Sequence, residues 1–210
     1  MRVLVVYCHP CPESFTAAIR DVAMDALKDN GHEVRLVDLY ASGFDPVMSA
    51  QERRGYHTPG FNEIPVAEQL AELRWCEALV FVYPTWWYGQ PAMLKGWLDR
   101  VWIPHATFTM PEPGKPIGRV LTNIRAITVV STLGSPWWWW TFVMGEPGRR
   151  VLLRGFRPLV HPSCRTEWVA LHDMDSATPA KRERFLGRVR EAIGELDGAF
   201  AWPLYLMPRF

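Results

Sequence analysis

Cys8-His9-Pro10-Cys11 has the spacing of a redox dithiol, and a C-x-x-C beside a βαβ pattern is a mark of thioredoxin-like enzymes. Followed on through Ser14, Phe15 and Thr16, the same stretch has a second chemistry open to it. It runs from an apolar strand into a helix start, where free amide donors and a partial positive charge seat a phosphate group. Ser14 and Thr16 add hydroxyls and His9 a further donor, although Ser14 would also serve as nothing more than a helix cap. The dithiol reading requires an exposed thiolate of lowered pKa at the helix N-terminus. Cys11 suits that place, whereas Cys8 falls at the tail of a strand expected to be buried, where a cysteine acts as a small hydrophobe. Neither G-x-G-x-x-G nor G-x-x-x-x-G-K-[ST] occurs, so a dinucleotide Rossmann turn and an NTPase phosphate loop are not supported.

Two other stretches carry unusual chemistry. In Pro84-Thr85-Trp86-Trp87-Tyr88-Gly89-Gln90-Pro91 an apolar strand ends in proline, aromatics and glycine. Backbone amides at such a turn reach the edge of a heterocycle while Trp87 and Tyr88 pack beside it; the alternative is that these rings cover the sheet edge or a dimer contact. In Ser131-Thr132-Leu133-Gly134-Ser135 two hydroxyl residues flank a glycine that permits close backbone approach. Pro136 and four tryptophans, Trp137, Trp138, Trp139 and Trp140, follow. One helix or strand turns some of four consecutive residues outward, so an apolar wall facing a flat ligand or a partner is expected, with a purely structural dimer surface as the alternative.

The elements that position these stretches alternate in period. Arg2–Tyr7 reads as a strand, and Phe15, Ala18, Ile19, Val22, Ala23, Ala26 and Leu27 make one helical face. Glu33–Leu39 alternates as a strand, Tyr40–Pro65 is polar and long for a loop, and Val66–Trp75 is a short helix. Ala78–Tyr83 is a continuous apolar run, Pro91–Trp102 a helix and Ala126–Ser131 a fourth strand. The pattern predicts a helix broken at Pro147 over Val143–Gly155, a fifth strand over Phe156–His161, and a last helix opening at Thr178-Pro179. Five βα units favour an α/β, doubly wound, five-stranded parallel sheet of flavodoxin-like order 2-1-3-4-5 with helices on both faces. Ligands of such sheets bind at the carboxyl ends of the strands, where His9–Thr16, Pro84–Pro91 and Ser131–Trp140 all fall.

The totals agree with one folded unit. The 210 residues are 49% hydrophobic and 21% charged with net charge +1, which suits a single domain over 1–200 with a short tail at 201–210 and gives no reason to expect a nucleic-acid partner. Four cysteines are too sparse for a disulfide scaffold and form no second C-x-x-C, so no metal site is expected. The first apolar run ends in a polar loop rather than a cleavage site, and no stretch approaches a membrane span, so a soluble, cytoplasmic protein is expected.

Three motifs then carry a likeness. His9-Pro-x-x-x-Ser14-Phe15, Asp38-Leu-Tyr-Ala41 with Phe44-Asp-Pro46, and Pro91-Ala-x-Leu-Lys-Gly96-Trp-x-Asp-Arg100 resemble the flavin-dependent NAD(P)H:quinone oxidoreductases, in the same order to about residue 190. The resemblance implies a flavodoxin-like fold, FAD or FMN as cofactor, NAD(P)H as donor, a quinone or other aromatic acceptor, and a homodimer. By that likeness His9, Ser14, Phe15 and Thr16 would contact the cofactor phosphates. Pro84, Thr85, Trp86, Trp87 and Tyr88 would line the isoalloxazine, and Ser131, Thr132, Leu133 and Gly134 would hold its pyrimidine edge. Arg182 would meet the adenylate end of FAD. Trp137–Trp140 would form the substrate wall, and Tyr88 is the candidate for proton handling. The tyrosine and histidine that the quinone reductases carry after the Ser/Thr-Gly segment are replaced here by tryptophans and Phe142-Val-Met-Gly145. Lys95 and Arg100 read as scaffold. A thiol oxidoreductase using Cys8 and Cys11, and a flavin-binding regulatory partner without turnover, are the rival readings.

Overall fold

A computed structural model describes residues 1–196. In chain order the elements are β1 (Arg2–Tyr7), α1 (Phe15–Asp29), β2 (Glu33–Asp38), α2 (Ala50–Gly55), α3 (Ala67–Trp75), β3 (Ala78–Pro84) and α4 (Ala92–Val101). There follow β4 (Phe108–Thr109), β5 (Gly118–Arg119), β6 (Ala126–Thr132), α5 (Pro147–Arg150), β7 (Arg165–Leu171) and α6 (Pro179–Gly194). The expected domain end at 200 and the tail at 201–210 lie outside the described residues. No described helix is long and apolar enough to cross a membrane.

The main sheet has the order β2-β1-β3-β6-β7, and each pair within it is parallel. Because β4 and β5 form a separate antiparallel ribbon, the order among the five main strands is the expected 2-1-3-4-5. Side chains alternate between two cores. Val3, Val5 and Tyr7 of β1 pack with Ile19, Leu27, Phe185 and Val189 on the α1/α6 side. Leu4, Val6 and Cys8 pack with Leu70, Leu73, Leu94 and Trp97 on the α3/α4 side. Strands β3 and β6 are buried at every position, as central strands covered on both faces must be.

The fifth strand is not where the sequence pattern put it. Phe156–His161 holds a 3₁₀ turn, Arg157–Leu159, and a single bridge from Val160 to Leu121; Pro158 has no N–H for a ladder. The strand is Arg165–Leu171, which pairs with β6 from Ala126↔Arg165 to Thr132↔Leu171. The long polar loop also contains α2, closed by a capping box in which Ser49 and Glu52 exchange hydrogen bonds. The helix expected over Val143–Gly155 divides into α5 and the π-helical turn Val151–Gly155, with a second π-helical turn, Trp139–Val143, ahead of it.

Candidate active site

Strands β1, β3 and β6 end side by side and bring the three unusual loops to one edge. In the first loop the Cys11 N–H donates to His9 Nδ1 at 3.0 Å, and the Ser14 hydroxyl caps α1 by accepting from the Ala17 N–H at 3.1 Å. That leaves the first-turn amides of Phe15 and Thr16 at the helix start, where they favour an anion. The His9 ring meets Trp86 of the second loop edge-on at 6.2 Å, so the two loops are neighbours. Cys8 is wholly buried, and burial pushes its thiol up to about 12. All four cysteines are free, with Cys11 alone exposed. A dithiol needs both thiols accessible; here one belongs to the core.

The second loop is strained. Trp86 and Gly89 exchange backbone hydrogen bonds at 3.1 and 3.0 Å, while Trp87 and Tyr88 between them have φ of 47° and 62°. Positive φ at both central residues is what a two-residue I′ turn requires and what glycine or asparagine usually supplies. For a tryptophan and a tyrosine it costs about 1 kcal/mol each. The Trp87 side chain is nevertheless 96% exposed, so packing does not offset the strain. Backbone strain of this kind clusters at binding sites. Tyr88 accepts a hydrogen bond from the Trp139 indole N–H at 3.2 Å, which joins the second loop to the third.

Gly134 anchors the third loop: a Cβ there would lie 2.7 Å from an Asp175 carboxylate oxygen, so a larger residue would have to displace the Asp175 side chain. Ser131 is buried, and its hydroxyl pairs with that of Thr85 at 2.8 Å. The Leu133 N–H is committed to the Leu171 carbonyl, so donors toward a ligand edge come from Gly134 onward, not from Leu133. Thr85, Trp87, Tyr88, Leu133, Gly134 and Ser135 line an open cleft of about 220 Å³. Trp137 and Trp138 are both 54% exposed and Trp139 faces Tyr88. Trp140 is a correction to the expected wall: it is 1% exposed, stacked on Trp168 with ring centres 6.0 Å apart. It fastens the segment to the core, and three tryptophans rather than four remain at the rim.

Arg182 opens the last helix beside this edge. Its guanidinium lies 5.7 Å from the Phe15 ring centre, and its Nε is buried with no hydrogen-bond partner. An orphaned charged donor beside the α1 N-terminus suits a phosphorylated or nucleotide ligand. Together with the two free amides, the strained turn and the Gly134 cradle, it makes the residues present fit a flavin nucleotide. Sequence reasoning passed over His172 and Asp175 in the loop after β7, because neither belongs to a motif. Burial pushes the His172 pKa below its usual value, and Asp175 backs Gly134. Among the described residues no cluster of three His, Cys, Asp or Glu side chains could hold a metal.

The longest motif proves to be scaffold. A Cβ on Gly96 would stand 2.2 Å from the Pro46 carbonyl oxygen, so glycine alone lets α4 press on the Phe44-Asp45-Pro46 turn. Arg100 donates to the Asp45 carbonyl and to Glu52, and Lys95 makes a surface pair with Asp99.

Residues 1–146, well over half of the chain, match the protein family described as having the flavodoxin-like fold. The chain belongs to that flavodoxin-like family. Over 102 residues it is 38% identical to YcaK of Escherichia coli K12, named as an uncharacterized NAD(P)H oxidoreductase, covering 48% of this chain and 52% of that protein. Over 124 residues it is 33% identical to rat NAD(P)H dehydrogenase (quinone) 1, covering 51% of this chain and 45% of that protein. The chain thus spans about half the length of the curated relatives it matches. The solved NAD(P)H:quinone oxidoreductase of Methanothermobacter marburgensis superimposes with a TM-score of 0.81 at 25% identity, over 93% of this chain and 98% of that one. Smu.1420 of Streptococcus mutans does so with a TM-score of 0.78 at 26% identity, over 93% and 100%. These likenesses bear out the resemblance to the quinone reductases and the doubly wound fold that the motifs implied.

Proposed function

We propose that this flavodoxin-like protein is a flavin-dependent oxidoreductase that takes reducing equivalents from NAD(P)H and passes them to a quinone or similar aromatic acceptor. A bound flavin supplies the two-electron carrier between donor and acceptor, which then use one cleft in turn, a ping-pong scheme. The observation that carries the reading is the cleft itself: a strained aromatic turn on one side, a glycine cradle on the other, and the α1 N-terminus beside them.

In this reading the amides of Phe15 and Thr16, with His9 and Ser14, hold the cofactor phosphates. Thr85, Trp86, Trp87 and Tyr88, following Pro84, hold the plane of the ring system, and the backbone from Gly134, on the Ser131–Leu133 strand end, faces its polar edge. Arg182, with its unpartnered Nε beside Phe15, favours FAD over FMN, because only FAD extends an adenylate group. Trp137, Trp138 and Trp139 exclude water from the acceptor. A second copy of the chain would cover part of the exposed rim, where Trp87 is 96% and Phe142 74% exposed, and we read the working form as a homodimer. The four free thiols fit a reducing compartment, the cytoplasm.

Anaerobic addition of NADPH or NADH to the flavin-loaded protein tests the proposal. Bleaching of the flavin absorbance by one donor, and its return on adding a quinone, are expected. Flavin that stays oxidised with both donors would refute the electron path.

A further inference from the structure

We propose that Trp139 positions the Tyr88 hydroxyl to donate a proton to the carbonyl oxygen of the acceptor, an inference that rests on the reductase reading and names the residues that complete it. Of the cleft-lining side chains, Thr85, Tyr88 and Ser135 carry hydroxyls. The Thr85 hydroxyl is paired with that of Ser131 at 2.8 Å. A phenol is a far stronger acid than an aliphatic alcohol, which makes Tyr88 the acid of the cleft.

The direction of its hydrogen bond follows from chemistry. An indole N–H only donates, so in the 3.2 Å contact with Trp139 the Tyr88 oxygen is the acceptor. Its own hydrogen is thereby left to donate, and a group in the cleft can receive it. Trp139 is held for this role from both sides: its carbonyl accepts from the Met144 N–H, its ring meets that of Trp138 edge-on at 5.6 Å, and its neighbour Trp140 is fixed in the core. Tyr88 is fixed by the Trp86–Gly89 turn.

Reduction of a quinone takes up two electrons and two protons. One proton arrives with the electron pair as a hydride. In the proposed step the Tyr88 O–H bond breaks, the second proton forms an O–H bond on the quinone oxygen, and solvent returns a proton to the tyrosinate. Trp139 acts as a positioning residue and Tyr88 as the donor.

The first test needs no turnover. Xanthone, a flat aromatic ketone, and xanthene, which lacks the carbonyl, are compared by equilibrium dialysis against the flavin-loaded protein. Wild type should bind the ketone about tenfold more tightly, a difference of one hydrogen bond. Tyr88→Phe should abolish that preference, Trp139→Phe should diminish it, and Trp139→His, which keeps a ring N–H, should restore it. The second test compares acceptors. Tyr88→Phe should lower kcat with a quinone by about 100-fold relative to its effect on reduction of ferricyanide, which takes electrons alone. A ketone preference that is absent in wild type or survives in Tyr88→Phe and Trp139→Phe, or an equal fall with both acceptors, would overturn the proposal. A chain that binds no flavin would refute the reductase reading and this proposal with it, whereas a flavin-loaded chain that turns over quinone without the ketone preference would overturn this proposal alone.

Discussion

Trp87 and Tyr88 show most directly how a local cost points to function. Both hold a backbone conformation that glycine would adopt freely. Trp87→Gly should therefore raise the stability of the flavin-free chain by about 1 kcal/mol while weakening flavin binding at least tenfold. Thermal melts and a flavin titration of the same variant check both halves; a variant that is less stable and binds flavin normally would show that the turn serves the fold. The residue types at this edge were legible in the sequence, but their directions were not. Nothing in four identical side chains says which of Trp137–Trp140 turns inward. The answer comes from a π-helical turn and a stacking partner, Trp168, that lies far along the chain. Cys8 and Cys11 show the reverse case, since the strand period alone assigns one thiol to the core.

Between elements, the contact of α4 with the turn after β2 fixes the floor on which the loops stand. Gly96→Ala would force a Cβ against the Pro46 carbonyl, and a loss of about 1–3 kcal/mol is expected from such overpacking, measurable by urea unfolding. The same contact is tied by Glu52 and Arg100, whose side chains are 17% and 11% exposed. Burial pushes the Glu52 carboxyl up, but hydrogen bonds from Ser49 and the Arg100 guanidinium outweigh it and hold the pKa below its ordinary 4.5. A carboxylate held low in the folded state stabilises above its ordinary pKa and loses that contribution as pH falls through the folded value. Glu52→Gln should thus cost about 1–3 kcal/mol at pH 7, and the gap from wild type should narrow as pH falls below the ordinary carboxyl value of 4.5. A gap independent of pH would contradict the assignment. Element boundaries were legible where period and caps agreed, as for α1 and α6. They failed at the fifth strand: Arg165–Leu171 lies at the sheet edge with most positions half-buried, so it lacks the continuous apolar run of β3 and β6.

For the whole molecule, the alternation of strands and helices was enough to give the sheet order, because right-handed crossovers leave few other ways to close five parallel strands. The order in turn gives the site: the reversal between β1 and β3 puts three distant loops at one edge. Their contacts, His9 with Trp86 and Tyr88 with Trp139, join residues far apart in the chain and follow only from the folded geometry. The most direct measurement is a titration of the purified chain with FAD and with FMN, followed by the visible absorption band and the melting temperature. Binding near one flavin per chain, tighter for FAD, is predicted, with a stabilisation of about 2.7 kcal/mol when free flavin reaches 100 times its Kd. A protein that stays colourless and melts unchanged with either flavin would contradict the account.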